Sequence, residues 1–399
     1  MMDWRQVREL FTIDPDLIHL NTAGLGSAPR AVLDVLGSAD RVYARSPRDP
    51  FADTALTEVR EALAGGLGCE ADELAIVPSA TDANARILAG LDLREGDEII
   101  TTDHECYTVR APLCQLRDRR GVVLRELTPP VGAGQRAEEI VELVRSAITP
   151  RTRVLQWAGI TLTTGAAFPT AELVELARRH DLIAVLDGAQ LLGHFPVRLR
   201  DLGVDFLSAS GSRYQCGPMG TGLIYARNRP LPLPAFWPVV SLLYPLRDGL
   251  PPRPHDLGRL LQQSDSADLS RAQGLRIACE LWDRIGRDRI QRHVLELGTH
   301  LKERVVRHWG RDALFSPMDD PRLHSGLVAF DPFRGSANLG VFVQLKRQLA
   351  DEHGITVEIT RFAHPGVQGE LPAVRVSPHL YNDVEQLDRA IETMIKLCH

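Results

Sequence analysis

The sequence predicts an α/β fold: a large domain on a mostly parallel seven-stranded sheet, then a smaller C-terminal α+β domain. Two patterns carry this expectation. From about residue 70 to 226, short β-branched runs alternate with longer amphipathic ones. Such alternation lays parallel strands beneath helices on both faces. A Pro-rich stretch, Pro230–Pro234 and again Pro251–Pro254, then breaks the rhythm, and helical patterns dominate after it. With 399 residues, 44% hydrophobic and 25% charged, the chain is long enough for both domains. The division expected is an N-terminal segment at 1–29, a large domain at 30–250 and a small domain at 251–399.

The strands of the large domain are expected at Glu73–Val77, Asp97–Thr101, Val122–Leu124, Val154–Trp157, Ile183–Leu186, Asp205–Leu207 and Leu223–Ala226. Between them, Ala137–Val144 and Ala171–Ala177 repeat apolar residues at helical spacing. In the small domain we expect helices at about 269–284 and 286–307, a strand at 326–330 and a helix near 337–353. Strands near 355–360 and 373–377 and a last helix from Asn382 complete it.

Composition excludes several function classes. A formal charge of -6, with no basic cluster longer than Arg117–Arg120, gives no reason to expect nucleic acid or an anionic membrane as partner. Met1–Gln6 lacks the apolar core of a signal peptide, and no run has the length of a membrane helix, so a cytoplasmic location is expected. The six cysteines show no CxxC spacing, which argues against a disulfide framework or a zinc site. Asp103, His104 and Glu105 are metal-ligand types, but consecutive strand residues point to alternate faces and do not converge on one ion. No metal site is expected.

Two segments carry chemistry. Val185–Gln190 places Asp187 at the end of a buried strand, where open α/β sheets bind ligands. Such a carboxylate serves either a cationic ring nitrogen or the cap of a following helix. Asp205–Gly222 is a strand running into a polar, glycine-rich loop and then into a second strand, Leu223–Ala226. A dinucleotide fingerprint would open a helix instead. Cys216 in this loop has no evident adjacent base and reads as an ordinary loop cysteine.

This loop resembles the cofactor-lysine loop of the class V aminotransferase family, which includes cysteine desulfurases and isopenicillin N epimerase-like proteins. Asp205, Ser210, Gly217-Pro218, Gly220 and Gly222 fit its pattern, but Ser212 stands at the histidine position and Arg213 at that of the lysine that binds pyridoxal phosphate (PLP). The resemblance implies the PLP-dependent transferase fold type I and extends over most of the chain. Asn21–Gly26, with Asn21 and Ala23, is similar to the family's substrate-side N-terminal segment, and Ala80-Thr81 to its phosphate-binding turn. Gly96–Glu105 resembles the segment that sets a ring-stacking residue over the cofactor, with Cys106 and Tyr107 at or beside that position. Asp187 matches the pyridinium partner and Gln190 the residue near the phenolic oxygen. Ser266 falls where the family reaches the phosphate of a neighbouring subunit, which implies a homodimer, and Arg375 resembles its substrate-carboxylate arginine.

A lysine in this loop would act as nucleophile and then as base, and both roles need a neutral amine. Arginine stays protonated and acts as a fixed cation. The only lysines are Lys302, Lys346 and Lys396, all in the small domain, and none is a substitute. Three readings follow. The pocket works on a small amino-acid or carboxylate metabolite without the cofactor imine, Arg213 being an electrostatic clamp. Alternatively it holds PLP or its amine form non-covalently, with His104, Cys106 or Tyr107 moving protons. In the third reading the chain is a non-catalytic ligand-binding or partner subunit.

Overall fold

The computed structural model describes residues 2–45, 53–228, 236–241, 257–262 and 268–398. Strand β1 (Ile18–His19) stands apart from the central sheet. The sheet consists of β2 (Leu74–Val77), β3 (Glu98–Thr102), β4 (Val123–Leu127), β5 (Thr152–Ala158), β6 (Ile183–Asp187), β7 (Phe206–Ser210) and β8 (Gly222–Ala226). Their order is β2-β8-β7-β6-β5-β3-β4, and β8 alone runs antiparallel to its neighbours. The predicted seven-stranded, mostly parallel sheet is therefore present. β7 runs on to Ser210, beyond the expected Leu207, because Ser208 and Ser210 pair with Ile224 and Gly222 and are buried despite their hydroxyls.

Alternation along the strands feeds two separate cores. Ile99, Val154, Val185 and Phe206 face the helices Ala80–Gly90 and Tyr107–Arg120. Their chain neighbours Ile100, Leu155, Leu186 and Leu207 face the other side, under helices Asp53–Leu67, Ala137–Ala147, Thr170–Arg179 and Leu269–Ile285. Both faces are covered over β3 and β5–β8, whose residues are nearly all buried, as a buried parallel sheet requires, whereas the edge strand β4 is exposed at Val123 and Glu126.

The C-terminal part contains β9 (Val328–Phe330), β10 (Ile355–Thr356), β11 (Glu358–Ala363) and β12 (Glu370–Val376). β11, β12 and β9 form an antiparallel sheet packed on helices Arg287–Trp309, Leu339–His353 and Val384–Leu397. The strand expected at 355–360 is broken after Thr356: β10 pairs in parallel with β1, whereas β11 turns to pair with β12. That β1–β10 pair fastens the N-terminal segment to the C-terminal part just before Asn21. Most of the Pro-rich stretch, with the expected domain junction, lies outside the described residues. Among the described residues no helix is long and apolar enough to cross a membrane.

Candidate active site

The ends of β3, β5, β6 and β7 open on one edge of the sheet, the edge at which parallel sheets bind ligands. A pocket there is lined by Cys106, Leu162, Asp187, Ala189, Gln190 and Arg213 among others. Asp187 ends β6 and is 6% exposed. Its Oδ1 accepts from the backbone N–H of Ala189 at 2.8 Å and from the Ser208 hydroxyl at 3.3 Å. No helix begins at this turn, so the helix-cap alternative does not apply; the next helix starts at Leu199. Burial pushes the Asp187 carboxyl above its ordinary range, while Ala189, the Arg213 charge, Ser208 and Asn84 act in the opposite direction.

Arg213 follows β7 in the glycine-rich loop, and its Nη1 donates to the Ala23 carbonyl at 2.7 Å. Gln190 Nε2 donates to the same carbonyl at 3.2 Å, while Gln190 Oε1 is buried without a hydrogen-bond partner. Gly26 N–H donates to the Ser212 carbonyl at 2.8 Å. The N-terminal segment is thus fastened across the mouth, and the cavity beneath it is about 10 Å³, room for a single water. Arg375 on β12 is 4% exposed. Its Nη2 donates to Asn21 Oδ1 at 2.9 Å and its Nη1 to the Leu162 carbonyl at 3.2 Å, and burial brings its guanidinium down to about 10.

The expected phosphate turn is at the same level. Ser210 pairs with Gly222, and Gly222 pairs with Val77, three residues before the helix Ala80–Gly90. A Cβ on Gly222 would lie 2.6 Å from the Ser79 carbonyl carbon, so glycine alone allows this close approach. The helix is capped by the Ser79 side chain on Asp82 N–H, leaving the exposed Thr81 in its first turn rather than at its cap.

Two expected groups are not brought into the pocket. His104 is 1% exposed and its Nε2 hydrogen-bonds the Ala363 carbonyl at 2.8 Å, toward the small domain and away from Asp187. Tyr107 is 68% exposed at the start of its helix, so Cys106 is the candidate of the three that lines the pocket. Asp103 accepts from Thr128 and lies 3.9 Å from His104 Nε2, whereas Glu105 turns away to Gln156 and the Ala158 N–H; no group of metal-ligating side chains is found among the described residues. Ser266 lies outside the described residues.

Sequence reasoning missed Glu105. It is buried behind Asp187, accepting from Thr102, Gln156 and the Ala158 N–H, with Ala158 the register partner of Asp187. Burial, and then the Asp187 charge, push its carboxyl up to about 8. Ser208 was missed as well; its place opposite Asp187 on the adjacent strand was the available signal.

Comparison with known proteins supplies a context for this geometry. Residues 39–236 match the family model described as aminotransferase class V. The isopenicillin N epimerase of Amycolatopsis lactamdurans is 28% identical, covering 99% of this chain and 98% of its own. A probable cysteine desulfurase of Methanothermobacter thermautotrophicus is 24% identical over 98% of each chain. Among solved structures, the apo cysteine desulfurase of Thermococcus onnurineus NA1 superposes with a TM-score of 0.79 at 20% identity, covering 100% of this chain and 98% of its own. A lysine-to-alanine variant of C-DES, with glycine covalently linked to its PLP cofactor, reaches 0.80 at 21% identity over 99% of both chains.

Proposed function

Since the chain belongs to the class V aminotransferase family, we propose that it is an enzyme of small amino-acid or carboxylate metabolites that works without a lysine–cofactor imine. The observation that carries this is Arg213. It matches the lysine position of the family's loop, lines the same pocket as Asp187, and its guanidinium donates to the Ala23 carbonyl.

PLP supplies an electron sink for amino-acid chemistry, and the residues here do not fit it as the family holds it. Asp187 and Ser210 suit a ring nitrogen and a phosphate. The amine is absent, and Cys106 offers no aromatic face. In the chemistry proposed, Arg213 stabilises negative charge that develops on the substrate. Asp187 is the carboxylate at the pocket wall that takes a proton from the substrate, with the protonated Glu105 behind it. Cys106 is the thiol within reach.

A second reading, lysine-independent binding of PLP, has one specific observation in its favour: the C-DES variant lacks its lysine and still carries a glycine–PLP adduct. Visible spectra of the protein with PLP, alone and with amino acids, separate the two. We expect no cofactor band for the wild type and a new band for Arg213→Lys. A wild-type band that shifts with added amino acid would establish the second reading instead.

A further inference from the structure

Two guanidinium groups hold the same short stretch of chain from opposite sides. Arg375 donates to the Asn21 amide oxygen, and Arg213 donates to the Ala23 carbonyl two residues on. Leu162, whose carbonyl receives the other arm of Arg375, lines the same pocket as Arg213. Every hydrogen-bond acceptor named here is neutral. Buried guanidinium groups are matched far better by carboxylates, which take two parallel N–H bonds.

The charges of Glu358 and Asp187 act on Arg375 and Arg213, but their hydrogen bonds go elsewhere. Glu358, the register partner of Arg375, binds Lys346, the Asn21 amide and the Ile359 N–H. Asp187 is held by Ala189 and Ser208. Arg375 Nε remains buried without a hydrogen-bond partner, as does Gln190 Oε1 across the pocket. A buried donor left unsatisfied costs its full desolvation, so a ligand that completes it binds with advantage.

We propose that the pocket takes a small dicarboxylate, with one carboxylate on the Nε and Nη2 edge of Arg375 and the other on Arg213. The Asn21 amide oxygen and the Ala23 carbonyl stand where the two carboxylates bind, and the segment Asn21–Gly26 lifts to admit them. This rests on the reading of Arg213 as a fixed cation in a carboxylate site, and it adds that the substrate carries two acids.

Calorimetric titration of the full chain with succinate and glutarate, against butyrate and valerate, tests it. The dicarboxylates are expected to bind at least about tenfold tighter, one further charge-assisted pair being worth that much. Arg213→Gln should abolish the preference for the dicarboxylates, and Arg213→Lys should restore part of it. Equal affinity for succinate and butyrate in the wild type, or an unchanged preference in Arg213→Gln, overturns the proposal. A wild type that binds both acids alike and gives no cofactor band keeps the carboxylate reading and removes the dicarboxylate. Binding of neither acid removes both.

Discussion

At the scale of single residues, the chemistry turns on one cation and two carboxyl groups. Arg213 brings a permanent charge to within electrostatic reach of Asp187, and Asp187 in turn raises the proton affinity of Glu105. Glu105 keeps its proton in the folded state from its ordinary value near 4.5 up to about 8. The folded state thus binds more protons than the unfolded chain in that window, and the contribution of Glu105 to stability is lost as pH rises through it. Glu105→Gln should remove this slope. Relative to wild type, the variant gains on the order of 4 kcal/mol between pH 5 and pH 9 in chemical denaturation. Parallel curves for the two proteins would show that Glu105 is ionised throughout. Neither Arg213 nor Asp187 needed the structure to be found. Glu105 did, because only the pairing of β5 with β6 sets its carboxylate behind Asp187.

At the scale of elements, the site depends on how the N-terminal segment meets the loop after β7. A Cβ at Gly26 would lie 2.0 Å from the Arg213 carbonyl oxygen and 2.9 Å from Cys216 Sγ. The first contact is with backbone, which has no room to give. Gly26→Ala is therefore expected to lift the segment and to cost about 2 kcal/mol, as overpacking in a close contact does. Thermal denaturation would register the loss, and an unchanged midpoint would mean that the segment is not docked in solution. The same contact explains why the sequence alone could not define the pocket mouth. Asn21 and Ala23 were recognisable by motif, but their docking on Arg375, Gln190 and Arg213 joins positions far apart in the chain.

At the scale of the whole molecule, three large apolar side chains next in sequence to site residues are exposed. Leu25, Tyr107 and Met219 are 45%, 68% and 65% exposed, next to Gly26, Cys106 and the Arg213 loop respectively. Exposed apolar side chains suit a contact surface, and the family resemblance implies a homodimer. Sedimentation should give twice the 44.1 kDa of the chain, and Tyr107→Glu with Met219→Glu should halve it. A wild type that sediments as a single chain would remove this expectation. The lysines, too, belong to this scale. Lys302 is buried on the Pro317 carbonyl inside the small-domain core, and Lys346 is paired with Glu358.

The sequence by itself determined the sheet, because strand and helix periods are local and survive without partners, and it determined the replacement at Arg213, because a motif is a matter of identity and spacing. The tertiary structure alone decided which candidates meet. His104 was drawn away by the Ala363 carbonyl of a distant strand, Tyr107 was left at the surface, and Glu105 was brought in by strand register. Proton affinity and charge pairing depend on burial and on neighbours distant in sequence, and these exist only once the chain has folded.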